Sequence, residues 1–211
     1  MNHDFSTPPL WPEPVTLTGE TVRLVPLERA HVDALWEVAD DERLWRWIPF
    51  PVRTRSDLEA YVDAALEGRA NGSMLPFVTT EAGSGRVIGS SRFGNIAPAD
   101  YRVEIGWTWV GVPWQRSAVN SEAKLLMLDH AFGTWHCHRV EFKTDSLNEQ
   151  SRAGLLGIGA TFEGIFRNHM VTHSGRMRHS AWYSITDDDW PAIRARLVER
   201  IAAGGRRPPS G

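Results

Sequence analysis

A single cysteine, Cys137, stands in the whole chain of 211 residues. No internal disulfide framework is expected, which suits a reducing compartment, so the expected location is cytoplasmic. No apolar run approaches the ~18 residues that a membrane span needs, and no membrane partner is expected. The first residues lack a charged stretch followed by an apolar one, so a signal peptide is not expected. A surplus of positive charge is missing too: 23 Lys and Arg stand against 26 Asp and Glu, a net charge of −3. Nucleic acid, whose phosphate backbone needs a basic face, is therefore not an expected partner. A local basic site for one small anion is compatible with that balance. Glycine-rich phosphate signatures are also absent: no Gly-Lys-Ser/Thr closes a P-loop, and no dinucleotide fingerprint occurs.

What is abundant is tryptophan, with ten in the chain. That predicts broad aromatic surfaces in the core, a cleft or an interface, and leaves a homodimer as a candidate assembly. The pattern along the chain predicts a proline-rich arm over residues 1–15, one domain over 16–203 and a tail over 204–211. "ETVRLVPL" alternates as a strand, and Val32, Leu35, Trp36 and Ala39 follow helix spacing. So do Leu58, Tyr61, Val62, Ala65 and Leu66, in a helix whose Ser56 and Glu59 have capping-box spacing. Strands are expected at 74–80, 86–94 and 101–110, then a helix at about 117–132 closed by Gly133. A strand at 139–145 leads to a helix with Ser146 and Glu149 again in capping-box spacing. Strands at about 160–169 and 178–185 flank a "THSGR" turn. A last helix, capped from Asp187 to Asp189, buries Trp190, Ile193, Leu197 and Ile201. Strand, helix, strand over 101–145 is a crossover long enough to make its two strands parallel. The expected fold is one mixed α/β domain with a seven-stranded, mostly antiparallel sheet and helices on both faces.

One segment stands out. In "TWVGVPWQRSAVNSEAKLLMLDHAF" a strand ends at Gly111 and Pro113, a cation and small residues come next, and an apolar helix begins. The first N–H groups of a helix have no internal partner, and with the macrodipole they favour an anion, often phosphate. Arg116 adds a charge, Ser117 a hydroxyl, and Ala118 little bulk. The plain alternative is an ordinary helix start with a solvated Arg.

The order of elements, with "ETVRLVPLERAHVDALWEV", "VEIGWTWV", "QRSAVNSEAK" and "RVEFKTDSLNEQSRAGLLGIGATFEG", resembles the GNAT superfamily of acyl-CoA N-acyltransferases. Within it the chain looks like the branch of ribosomal-protein N-terminal acetyltransferases. The resemblance covers about residues 18–186. It implies that acetyl-CoA is the co-substrate, with no metal, and that Gln115, Arg116, Ser117, Ala118, Val119, Asn120 and Ser121 form its diphosphate loop. Ala118 stands where the family usually has Gly, and Asn120 where it has Gly or Ala; both add bulk. It further implies that Asn148 and Ser151 touch the pantetheine arm, their plain roles being capping and a solvated turn. Trp109 and Val110 are expected to supply an oxyanion N–H at the mouth between the splayed strands.

Transfer of an acetyl group to an amine needs a proton acceptor and a hydrogen-bond donor for the carbonyl oxygen. Glu104 is the candidate acceptor, since a carboxylate in mid-strand is costly unless paired or facing a wet cleft. In regular alternation it shares a face with Gly106 and Thr108, opposite Val103, Ile105, Trp107 and Trp109. The plain alternative is that it pairs with Arg92 or Arg102 and only holds the sheet. The family's usual Tyr acid has no counterpart in "EQSRAGLLGIGA", which leaves Ser151 as a substitute or the thiolate leaving unaided. Trp45, Trp47 and His169 are expected on the acceptor side, the indoles alternatively as core. His136 and His138 share a strand face but lack a third ligand for a metal. The acceptor is a protein N-terminus or a small amine. The rival readings are a catalytically weak or inactive acyl-CoA-binding sensor, and, further off, another nucleotide-binding α/β protein.

Overall fold

A computed structural model describes residues 12–50 and 52–204 of the chain. The arm expected over 1–15 and the tail expected over 204–211 lie mostly outside the described residues. The first two strands are β1 (Leu17–Thr18) and β2 (Val22–Pro26), followed by helices α1 (Val32–Ala39), α2 (Glu42–Trp45) and α3 (Arg55–Ala70). Then come β3 (Leu75–Glu81), β4 (Val87–Ala97) and β5 (Arg102–Val110), helix α4 (Val119–Gly133) and strand β6 (Arg139–Asp145). Helix α5 (Glu149–Gly157), strands β7 (Thr161–Val171) and β8 (Met177–Thr186) and helix α6 (Trp190–Ala202) complete it. The strands form an eight-stranded sheet in the order β1-β2-β3-β4-β5-β6-β8-β7. The strand beyond the expected seven is the two-residue β1, too short to leave an alternation in the sequence.

The caps differ from those the spacing suggests. Helix α3 starts one turn's edge earlier than expected: the Thr54 hydroxyl accepts from the Asp57 N–H, and the Asp57 carboxylate accepts from the Thr54 N–H. Glu59 pairs with Arg55 instead. Helix α5 is capped by Asn148, whose Oδ1 accepts from the Ser151 N–H at 3.1 Å, rather than by Ser146. Both cases are shifts among neighbouring small polar residues, any of which can cap. Asp189 holds the N-cap position of α6 but turns its carboxylate back to Thr186. His136 and His138 precede β6 rather than lying on it, and His136 has φ 53°.

Two hydrophobic layers sandwich the sheet. On one face α4, α5 and α6 bury Met127, Leu128, Leu155, Trp190 and Leu197 against Val103, Ile105, Val140, Phe142 and Tyr183. On the other, α1 and α3 bury Leu35, Leu58 and Val62 with Val78 and Trp109. Glu122 ties α4 to the sheet edge, its carboxylate accepting from the N–H groups of Glu20, Thr21 and Val22 at 2.8, 2.8 and 2.9 Å.

Strand β5 belongs to both layers, and regular alternation fails in it. Val103 and Ile105 enter the α4 layer, whereas Trp107 and Trp109 enter the α1–α3 layer. The cause is Trp107, in the left-handed region at φ 50°, where the β4–β5 register shifts by one residue. Such a bulge adds a residue to one strand and reverses the facing of the residues beyond it. Thr108 therefore does not share the Glu104 face as expected; its hydroxyl meets Lys124 of α4 at 2.7 Å.

Candidate active site

Strands β5 and β6 are the parallel pair, and they pair over three residues: Arg102 with Arg139, Val103 with Val140, Glu104 with Glu141. Beyond Glu104 the ladder stops, and the strands' C-terminal halves run on without pairing. Beyond that point β5 carries the partly exposed Gly106, Trp107 and Val110 and the buried Trp109, and β6 carries Lys143 and Asp145.

Where the strands part sits Glu104, 2% exposed. Its Oε2 accepts from Lys143 Nζ at 2.7 Å and from Asn95 Nδ2 at 2.5 Å. Neither Arg92 nor Arg102 is its partner. Arg102 pairs with Asp100 and Glu141. Arg92 is buried over the Tyr61 ring, its guanidinium carbon 4.1 Å from the ring centroid. Glu104 Oε1 has no partner among the described residues, so one lone-pair-bearing oxygen is uncommitted. Neither Asn95 nor Lys143 was expected from the sequence. The alternation of Arg139, Glu141, Lys143 and Asp145 in "RVEFKTD" was the available signal, because it marks a wet strand face beside a buried one.

At the other end of β5 the chain passes through a short turn, Val112–Trp114, into α4. Arg116 is exposed and left-handed at φ 60°. The Ser117 hydroxyl donates to Trp114 O at 2.6 Å and accepts from the Val119 N–H at 3.3 Å. The exposed Gln115 reaches back to the end of β5, its Nε2 donating to Val110 O at 3.0 Å. Among the described residues, no hydrogen bond takes the N–H of Arg116, Ser117, Ala118 or Asn120. Four donors and a cation thus stand uncommitted at the head of a 15-residue helix. That is the donor set an anionic diphosphate requires. On α5, Asn148 spends its oxygen on capping and keeps Nδ2, and the half-buried Ser151 keeps its hydroxyl.

The remaining expected residues divide. Trp45 is 4% exposed, donates Nε1–H to Ala39 O at 2.9 Å, and packs on Tyr61 and Trp109. It is core rather than an open wall. Trp47 is half-buried with Arg46 over its ring. His169 lies on the Glu104 side of the sheet, bonded through Nδ1 to Ser180 Oγ at 2.9 Å and edge-on to Trp182. Burial, then Lys143 and Arg178, hold its imidazole below the ordinary value. His138 bonds Asp187 at 2.6 Å, and among the described residues no three His, Cys, Asp or Glu side chains are grouped to hold a metal. No described helix is long and apolar enough to cross a membrane.

Two lysines are found among the 23 basic residues, and both approach β5. Lys124 is 5% exposed, and its Nζ meets the hydroxyls of Thr108 at 2.7 Å and Ser91 at 3.4 Å with no carboxylate nearby. Burial alone pushes it down to about 7.

The model of the GNAT acetyltransferase domain matches residues 21–161. This chain belongs to the GNAT acetyltransferase family. A GCN5-related N-acetyltransferase from Brucella melitensis superposes with TM-score 0.85 at 32% identity, covering 92% of this chain and 89% of that one. The RimJ of Mycobacterium smegmatis, solved with CoA-disulfide, gives TM-score 0.73 at 25% identity over 86% of this chain and 88% of its own. A curated relative from Allorhizobium ampelinum is 27% identical over 92% of this chain and 78% of its own length. That relative is named tRNA pseudouridine synthase A, although the segment it shares with this chain includes the matched GNAT domain.

Proposed function

We propose that this GNAT protein moves an acetyl group from acetyl-CoA directly to an amine, a protein N-terminus or a small molecule. One observation carries the reading: the uncommitted amides of Arg116, Ser117, Ala118 and Asn120 follow the same strand whose Glu104 stands where two parallel strands part. The CoA bound in RimJ supports the choice of donor.

The N–H groups of Arg116, Ser117, Ala118 and Asn120 would hold the diphosphate, with the Arg116 guanidinium as counter-charge. Asn148 Nδ2 and the Ser151 hydroxyl would bind the pantetheine arm. The Trp109–Val110 backbone would orient the carbonyl. The CoA thioester supplies an electrophilic acetyl carbon and a sulfur leaving group. The chain's own residues do the rest. Glu104 Oε1 would take a proton from the bound ammonium, so that the neutral amine attacks, while Lys143 and Asn95 fix the carboxylate through Oε2. As the new C–N bond forms the C–S bond would break with its electron pair on sulfur, and the second proton lost by nitrogen would pass to that thiolate. The buried Cys137 thiol, raised to about 12, is unfit to carry the acetyl group, which favours direct transfer.

Thiol release from acetyl-CoA, measured over a panel of amines and N-terminal peptides, tests this. Turnover with at least one amine is expected. Tight CoA binding with no turnover would make the chain an acyl-CoA-binding module, and no CoA binding would sink the reading altogether.

A further inference from the structure

The groove floor on the Glu104 side of β6 and β8 is a row of charges, and all its carboxylates are spoken for. Glu104 pairs with Lys143, Glu141 with Arg139 and Arg102, Asp145 with Arg176, and Glu163 with Arg139. Arg178 is left over. It is 4% exposed, and its one hydrogen bond runs from Nε–H to Ser180 Oγ at 3.1 Å. Its two Nη groups have no partner among the described residues, yet they are not among the fully enclosed unpaired nitrogens. They open onto the groove.

A buried guanidinium with no counter-ion is costly, and arginine does not escape by losing its proton. Burial pulls Arg178 below its ordinary value, only partly offset by Asp145 and Glu104. On this groove floor Lys143, Arg139 and Arg176 each have an acid, and Arg178 alone among them is left for something from outside to complete. Its free edge is a planar two-donor fork, the shape that receives a carboxylate.

Its place on the sheet says which molecule brings that carboxylate. Lys143 is opposite Trp182 and Asp145 opposite Ser180, so Trp182, Ser180 and Arg178 continue the Lys143 face along β8. The bond to Ser180 leans the guanidinium back along the strand, toward Lys143 and Glu104. Arg178 and His169 meet at the Ser180 hydroxyl, at 3.1 and 2.9 Å, and His169 stands edge-on to Trp182, the residue opposite Lys143. Trp182, stacked on Phe166 at 4.5 Å, floors the groove there.

We propose that the acceptor is an amine bearing a carboxylate, and that Arg178 receives this carboxylate while Glu104 faces the nitrogen. The inference rests on the acetyl-transfer reading and narrows its substrate. Arg178 is a specificity determinant that touches substrate away from the reacting atoms.

The test uses the full chain and matched pairs: each amino acid beside its α-amide, and the dipeptides Ser-Glu and Ser-Gln as their C-terminal amides. Acetylation is followed by mass and by thiol release. The carboxylate member of at least one pair is expected to show kcat/KM at least tenfold higher. A preference among free amino acids assigns the α-carboxylate; one confined to the dipeptides assigns an acidic second residue. Arg178→Met should erase the preference through KM with kcat held within a few-fold, and Arg178→Lys should restore part of it. Equal rates within every pair for the wild-type protein overturn the proposal, whether or not the variants fold. If no amine turns over, calorimetric titration of the same pairs into the CoA-saturated protein decides separately. Equal or absent binding overturns the carboxylate site, and selective binding upholds it while the transfer reading fails.

Discussion

Lys143 Nζ lies 2.7 Å from Glu104 Oε2, an ion pair that joins the two parallel strands where they part. The carboxylate is 2% exposed and the lysine side chain 17%. Such a pair adds little net stability, because desolvation offsets most of the attraction. Its value is positional, since it fixes one oxygen and leaves the other turned to the gap.

Glu104→Gln keeps the volume and removes the proton acceptor. The expected loss in kcat is roughly 10²–10⁴-fold, with the KM for acetyl-CoA little changed. Steady-state kinetics over both substrates check it. Unaltered kcat would reduce Glu104 to a structural partner of Lys143.

Arg116→Gly should move stability and affinity in opposite directions. At φ 60° a non-glycine residue carries a backbone cost that glycine avoids. The variant is expected to gain about 0.5–1 kcal/mol in denaturant unfolding after glycine's entropy cost is subtracted. It should lose severalfold in CoA affinity by calorimetry, because the cation beside the diphosphate donors is gone. A variant that binds CoA as tightly as the parent would remove Arg116 from the loop's function.

Lys124 makes stability depend on pH. Its folded value, about 7, lies below the ordinary 10.5. Between the two the unfolded chain binds more protons than the folded one, so stability rises with pH across that window. Below pH 7 the burial cost is present in full. Lys124→Met removes it, and the Ser91 and Thr108 hydroxyls stay satisfied by each other at 2.7 Å. The variant should be stabilised at pH 6, on the order of a few kcal/mol, and progressively less toward pH 9.5. A difference in unfolding free energy that stays flat with pH would contradict this.

Cys137 is 7% exposed, and burial raises its thiol to about 12. Its thiolate fraction at pH 8 is of order 10⁻⁴, so alkylation should wait for unfolding. Cys137→Ser should retain full turnover. A stoichiometric acetyl-thioester on the folded wild type, seen by mass, would refute direct transfer.

The elements legible in the sequence were those with a long period and a clear face. Leu58 to Leu66 reads as a helix because its apolar residues recur on one side, and 101–145 reads as a parallel crossover because of its length. Interactions between distant residues were not legible. Asn95 reaches Glu104 from a left-handed kink at the end of β4, and nothing local in "FGNIA" announces it. Arg178 looks like one of several hairpin cations until burial and the pairing of every nearby acid single it out. Lys124 was visible as an interruption of an apolar helix, but its hydroxyl partners come from two other elements. Trp107 misled most, since Gly-Trp-Thr-Trp gives no sign of which residue takes the extra place in the ladder.

That extra residue sorts the second half of β5 between two solvents. With it, indoles go to the helices α1 and α3 and a hydroxyl goes to the lysine beneath. Holding the same residues in an unbroken ladder would invert the arrangement, leaving Lys124 against an aromatic ring and stranding Thr108 in the opposite layer. A β-branched residue at position 107, which resists a backbone at φ 50°, should therefore push the strand toward that unbroken ladder and unsettle both layers at once.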